Sequence, residues 1–201
     1  MTIDKPKKDL NRLPLFGLGI DFETSGYSLP NYSDRHQGIS FGAIIFDMKT
    51  LEQIESLYVE IKFDNKYIWD NGAEKIHGLS RDHLSNNGIS QEEAAFALVG
   101  LINKYMGNGD VVLLGQRVNF DKAFTIQLLD SAGLELKFNP TTIDSCSIAT
   151  VFLELTYSED IFAMCGMPPR GKHNALEDIT YTLSSIRKMK EYFISGIENS
   201  L

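Results

Sequence analysis

Leu15-Phe16-Gly17-Leu18-Gly19-Ile20-Asp21-Phe22-Glu23-Thr24 is an apolar run that closes on two carboxylates one residue apart. A continuous apolar run of this kind reads as a strand buried on both faces, as in the middle of an α/β sheet. Side chains two apart on a strand share a face, so Asp21 and Glu23 present their carboxylates together. Adjacent acids at the end of a buried strand repel each other and lose hydration, and the usual remedy is a cation. Taken alone, the pair reads equally well as a strand-end surface pair, so the decision passes to the rest of the chain.

Residues 27–38 are rich in Asn, Ser, Pro and charge and read as a long loop beside these carboxylates. ISFGAIIFD (39–47) reads as a second strand and QIESLYVEIK (53–62) as a third, which makes a three-stranded antiparallel meander. Short helices are expected over 70–77 and 80–86. Ser90-Gln91-Glu92-Glu93 is a capping box, followed at helical spacing by Ala94, Ala95, Leu98, Val99 and Ile102, and this helix should stop near 107–109. VVLLG (111–115) is a short buried strand, and a helix over 121–132 closes at Gly133. Further helices are expected over 144–155, over 160–164, and from Asn174 toward 194. A meander followed by strand–helix alternation predicts one α/β domain with a mixed sheet over 13–201, preceded by a polar, flexible tail over 1–12.

The 201 residues, 43% of them hydrophobic and 23% charged, suit a single domain with a sizeable core. A net charge of −8 argues against the broad basic surface of a duplex-DNA binder. It leaves room for a protein that handles only a strand end, because such a protein needs few phosphate contacts. Cys146 and Cys165 have no CxxC spacing and read as reduced, structural thiols rather than zinc ligands. The N-terminus lacks a signal-peptide core and no run of about 18 apolar residues occurs. The expectation is a cytoplasmic protein with no membrane partner.

Asn174-Ala175-Leu176-Glu177 is a second candidate capping box, which puts His173 in the preceding loop and Asp178 one turn into the helix. Asp121 opens the helix after the 111–115 strand. In open α/β sheets, sites gather outside the carboxyl ends of strands, where Asp21, Glu23 and Asp121 all fall. Four carboxylates and one imidazole suit hard divalent cations, Mg²⁺ or Mn²⁺, rather than zinc. Two such ions about 3.5–4 Å apart form a clamp for in-line phosphoryl displacement. An imidazole titrates near neutral pH, which suits His173 to accept a proton from water.

The set Asp21-x-Glu23, Phe120-Asp121 and His173-x-Ala175-x-x-Asp178 resembles the DEDDh branch of the DnaQ-like 3′→5′ exonucleases, of the ribonuclease H-like superfamily. Ile76-His77-Gly78 resembles the family's HG segment, and Thr142-Ile143-Asp144 its acidic residue before a helix. The likeness runs over 15–188 in family order, and Asn at 174, where the Tyr-type branch has Tyr, indicates the His-type branch. It implies a ribonuclease H-like mixed sheet and two Mg²⁺ or Mn²⁺ ions per active site. Asp21 would bridge both ions, Glu23 and Asp178 would complete one ion's site, Asp121 would anchor the second, and His173 would be the general base. Thr24, Ile76, His77 and Phe120 would line the terminal nucleotide.

The implied reaction is hydrolysis of terminal phosphodiesters at the 3′ end of single-stranded DNA or RNA, DNA slightly favoured, to nucleoside 5′-monophosphates. A separate polymerase or other replication or repair protein is a conceivable partner. The rival readings are an oligoribonuclease-like RNA-trimming enzyme and a catalytically silent nucleic-acid-binding module. Two features depart from the family: Gln116 and Arg117 replace its usual His-Asn pair, and the 27–38 loop is long. His36 and His83 read as surface residues, and Phe63 and Trp69 as packing. Arg117, Arg170 and Lys172 read as phosphate contacts or loop charge.

Overall fold

The computed structural model describes residues 14–27, 32–107 and 109–198. The tail expected over 1–12 and part of the 27–38 loop lie outside them. β1 (Phe16–Thr24) is the middle strand of a five-stranded sheet ordered β3-β2-β1-β4-β5. β2 (Gly38–Asp47) and β3 (Gln53–Glu60) complete the expected antiparallel meander. On the other side of β1, β4 (Val111–Gly115) runs parallel to it and β5 (Phe138–Asp144) runs parallel to β4.

β5 was not expected from sequence. Its residues, FNPTTID, carry a proline and no apolar alternation. Position explains it, because an edge strand has one backbone side without a partner and tolerates Pro140 there.

The helices are α1 (Tyr32–Arg35), α2 (Asn71–His77), α3 (Arg81–Asn87), α4 (Gln91–Met106), α5 (Asn119–Ser131), α6 (Ser145–Leu153), α7 (Ser158–Met164) and α8 (Ala175–Glu198). α1 is a single turn within the stretch expected to be loop. The capping box of α4 forms in both directions: Ser90 Oγ accepts from Glu93 N at 3.1 Å, and Glu93 accepts from Ser90 N at 2.9 Å. No helix among the described residues is long and apolar enough to cross a membrane.

The alternation of β1 separates two cores. Leu18, Ile20 and Phe22 pack with Ala94, Leu98, Ile102, Phe124 and Leu128 of α4 and α5. The other face of the sheet meets α6, α7 and α8 through Ile44, Phe46, Leu114, Ile161, Ile179 and Leu183. On that second face β1 carries Gly17, Gly19, Asp21 and Glu23 in turn.

The glycines set how near α8 comes. A Cβ at Gly19 would stand 3.1 Å from Ile179 Cγ1. Gly42 of β2 pairs with Asp21, and a Cβ there would fall 2.4 Å from both the backbone N and Cα of Leu176. The first turn of α8 therefore rests on bare strand backbone beside Asp21.

His36 corrects the surface expectation. It is buried, its ring lies where a side chain on Gly26 would be, and Nδ1 is 3.1 Å from the Ile68 carbonyl. The cause is the fold-back of the 32–37 segment over 63–70, where Ser25 N and Ile68 N bond the Gln37 and Arg35 carbonyls. His83 is exposed as expected, with Nε2 2.6 Å from Glu60.

Candidate active site

The pairing of β1 with β4 covers Leu18–Leu113 and Gly19–Leu114, after which the β4 chain leaves for α5. The β1 backbone beyond that point needs another partner on that side. Asp121, in the first turn of α5, supplies it: Phe22 N donates to Asp121 Oδ1 at 3.0 Å, with Asp121 only 2% exposed. The start of α5 is itself held by Asp144 at the end of β5. One Asp144 oxygen accepts from Val118 N and the other from Ser147 N, each at 2.9 Å. One carboxylate thus braces the starts of two helices. Arg117, in the place of that pair's Asn, is held at φ 54°, a left-handed conformation that costs a non-glycine residue roughly 1–3 kcal/mol.

α8 begins as its sequence predicts. Asn174 Oδ1 accepts from Leu176 N and Glu177 N, both at 3.1 Å, so Asp178 enters within the first turn. His173 precedes the cap in the loop; its backbone N donates to the Ile76 carbonyl at 3.3 Å, and its Nδ1 lies 3.5 Å from Asp178 Oδ2. Arg170 reaches the same carboxylate, with Nη1 2.5 Å from Asp178 Oδ1 and Nη2 2.6 Å from Glu159. From sequence alone Arg170 reads as a phosphate contact or loop charge. Nothing local marks a loop arginine as buried between two helices.

Burial and mutual repulsion dominate the electrostatics. Asp21 is pushed well above the ordinary aspartate range by burial first, then by Asp121, Glu23 and Asp178, with Arg170 opposing. Burial, followed by the Asp178 charge, raises Glu23 to about 7, again against Arg170. Burial also raises Asp121, although the hydrogen bond from Phe22 favours its charged form. Asp178 is raised by burial and restrained by Arg170 and His173. Four acids from three separate segments, β1, α5 and α8, are thus near enough to feel one another's charge.

Glu23, His173 and Asp178 each offer a ligand atom within 4.8 Å of the others, and Asp21 and Asp121 complete the acidic cluster. Buried, mutually repelling oxygen donors of this kind fit a hard divalent cation, which removes the repulsion on binding.

Of the four residues expected along a nucleotide, Thr24 follows Glu23, Phe120 precedes Asp121, and Ile76, next to His77, accepts the His173 N–H with its carbonyl. Thr24 is buried at the end of β1, and its hydroxyl donates to the Gly26 carbonyl at 3.0 Å. His77 is buried edge-on to Trp69, with ring centroids 6.2 Å apart, and its Nδ1 accepts from Leu79 N at 3.0 Å. Burial lowers its pKa below the ordinary imidazole value, which favours the neutral ring. The neighbouring Ile76 is more than half exposed. Phe120 lies edge-on to Phe124 and 5.6 Å from Tyr27, lining a cavity of about 400 Å³ with Gln116 and Arg117. A second cavity of about 360 Å³ opens between α7 and the His173 loop. A larger one of about 450 Å³ lies beside Gln127; none of the three is lined by Asp21, Glu23, Asp121 or Asp178, so chemistry rather than cavity size marks the site.

Comparison with known proteins follows the geometry. An exonuclease family model, RNase_T, matches residues 18–185. No curated protein matches the sequence. Among solved structures, one of exonuclease I is similar with a TM-score of 0.73 at 17% identity, covering 88% of this chain and 41% of the other. A zinc-bound complex of Escherichia coli exonuclease I with single-stranded DNA gives a TM-score of 0.70 at 18% identity, over 90% and 41%. The nuclease domain of 3′hExo, a DEDDh family member bound to rAMP, gives 0.71 at 14% identity, over 90% and 94%. The chain therefore spans about two-fifths of the length of the exonuclease I structures it resembles. At these identities the likeness is one of fold.

Proposed function

The chain belongs to the RNase_T exonuclease family, the DnaQ-like DEDDh group, and on that premise we propose that it is a two-metal-ion 3′→5′ exonuclease. It shortens single-stranded nucleic acid from the 3′ end and releases nucleoside 5′-monophosphates. The observation that carries the reading is the convergence of buried Glu23, Asp121 and Asp178 with half-buried Asp21, each with its charged form disfavoured, beside His173. A fold that needed only stability would not retain four desolvated acids in one place.

Glu23 and Asp178 would hold one divalent cation and Asp121 the other, with Asp21 shared between them. When bound, Mg²⁺ or Mn²⁺ ions supply a lowered pKa for water and offset the charge gathering on the phosphate and on the departing 3′ oxygen. His173 takes the proton from the attacking water at Nδ1 or Nε2. Its side chain is 40% exposed, enough to meet solvent, while Asp178 Oδ2, 3.5 Å from Nδ1, orients the ring. Asp121, through the Phe22 N–H, keeps the β1 carboxylates in register with α5. The exposed face of Ile76 offers apolar surface to a terminal base, and the neutral ring of His77, with Thr24, backs the sugar.

Among the similar structures, exonuclease I is in complex with single-stranded DNA, and a 3′-exonuclease recognises the 3′ end of a histone mRNA stem-loop. Both sugars therefore belong in the test. Matched 5′-labelled single-stranded DNA and RNA are incubated with Mg²⁺, Mn²⁺ or EDTA, beside the His173→Ala and Asp21→Ala variants. A ladder shrinking from the 3′ end, abolished by EDTA and by either substitution, is expected, and the faster substrate assigns the sugar. Tight binding without cleavage, unaffected by Asp21→Ala, would identify a silent binding module instead.

A further inference from the structure

We infer that Arg170 is a positioning residue of this centre: a built-in cation that aims Asp178 and anchors the His173 loop while weakening the grip on metal ions. The inference rests on the reading of Asp178 as a metal ligand. The Arg170 side chain is only 7% exposed. Burying a guanidinium is unfavourable unless its fork is paired. Here one arm meets Glu159 of α7, the other meets Asp178 of α8, and the plane lies over Phe162 of α7 at 4.7 Å.

The connection between α7 and α8 carries both Arg170 and His173, with Gly166, Pro168, Pro169 and Gly171 along it. Its backbone is tied at the start, where Met167 N bonds the Phe162 carbonyl, and at the end, where His173 N bonds the Ile76 carbonyl. Between those two ties, the Arg170 side chain is the anchor into the protein interior. The contact also divides the Asp178 carboxylate. Oδ1 faces Arg170, and Oδ2 faces His173. Rotation of the carboxylate is thereby limited, which keeps one oxygen on the side of Glu23 and His173.

Two effects of opposite sign follow from one contact. Removing the guanidinium loosens Asp178 and the His173 loop, so turnover falls. It also removes a positive charge from beside a metal ligand, so the ion binds more tightly, by Coulomb's law on the order of tenfold. A residue that merely held the loop together would weaken metal binding and turnover alike.

The test is Mn²⁺ titration calorimetry on the substrate-free full chain, run beside turnover on labelled single strands. Arg170→Gln is expected to bind Mn²⁺ about tenfold more tightly while turning over at least about tenfold more slowly. Arg170→Lys keeps the charge without the fork, so its Mn²⁺ affinity should stay near wild type with turnover partly restored. Glu159→Gln leaves the Arg170 charge unshared and should weaken Mn²⁺ binding, a reversal of sign that serves even where Arg170→Gln does not fold. Wild-type protein that binds Mn²⁺ and cleaves, with Arg170→Gln affinity unchanged or weaker, or Glu159→Gln affinity unchanged or tighter, overturns the role of Arg170 alone. Wild-type protein that neither binds Mn²⁺ nor cleaves overturns the exonuclease reading and this inference together.

Discussion

Gly42→Ala should disable the site without touching any of its acids. Gly42 pairs with Asp21 across β1 and β2, and a Cβ built there would lie 2.4 Å from Leu176 N and Cα and 2.5 Å from Ala175 C. These are backbone atoms, so no side chain can rotate away. Ordinary contact begins at 3.4 Å, which leaves a shortfall of 3.4 − 2.4 = 1.0 Å for the start of α8 to absorb. Asp178 lies two residues beyond Leu176, and His173 three before it, so both move with that turn.

Overpacking of this kind costs about 1–3 kcal/mol. For a chain of this size that lowers Tm by roughly 2–12 °C. Misplacing catalytic groups by about 1 Å costs on the order of 100-fold in rate. The assay is turnover per folded molecule at a temperature well below both melting points, with circular dichroism to establish folding. Gly100→Ala in α4 is the control, because nothing lies within 4 Å of the added Cβ. It should leave turnover alone and stabilise the helix by up to about 1 kcal/mol. A Gly42→Ala protein with wild-type melting and turnover would refute the argument that bare strand backbone sets the position of α8 and of the site.

The metal-free protein should lose stability as pH rises. A carboxyl whose folded pKa is raised holds its proton more tightly when folded, so its stabilising contribution is full below the unfolded pKa and is lost through the folded one. For Glu23 that window runs from 4.5 to about 7, with Asp21, Asp121 and Asp178 shifted in the same direction. Melting in EDTA should therefore be higher at pH 5.5 than at pH 8, with the gap narrowed by saturating Mg²⁺; a melting point rising with pH in EDTA would contradict the buried-acid account. Asp121→Asn keeps an acceptor for Phe22 N but removes a buried charge, so the metal-free protein should melt higher while turnover collapses; a lower melting point would show the charge to be stabilising. Ser90→Ala removes the cap of α4, which packs on the face of β1 opposite Asp21 and Glu23, and should cost about 1 kcal/mol, roughly 2–4 °C in Tm, with no change in turnover.

Much of this protein is written in local pattern. The buried strand ending in Asp21 and Glu23, the meander, the capping box at Ser90 and the Asn174 cap that sets Asp178 one turn into α8 all follow from periodicity and from which side chains satisfy helix ends. These are short-range requirements of the backbone, met by neighbours in sequence, and so they can be read without the fold. The order of the acidic motifs was legible through their resemblance to a known family.

Other features exist only through contacts between distant segments. Asp121 completes β1 through a bond to Phe22, ninety-nine residues away, because β4 ends where it does. Asp144 closes two helix starts at once, one of them 26 residues back in the chain. β5 is a strand because an edge was available for its proline, and His36 is buried because its segment folds back over Ile68. Arg170 looks like loop charge until α7 and α8 enclose it with Glu159 and Asp178. Residue type and spacing chose the acids. Packing decided how close they came, how strongly they repel and which cation faces them, because those depend on distance and burial that no local pattern encodes.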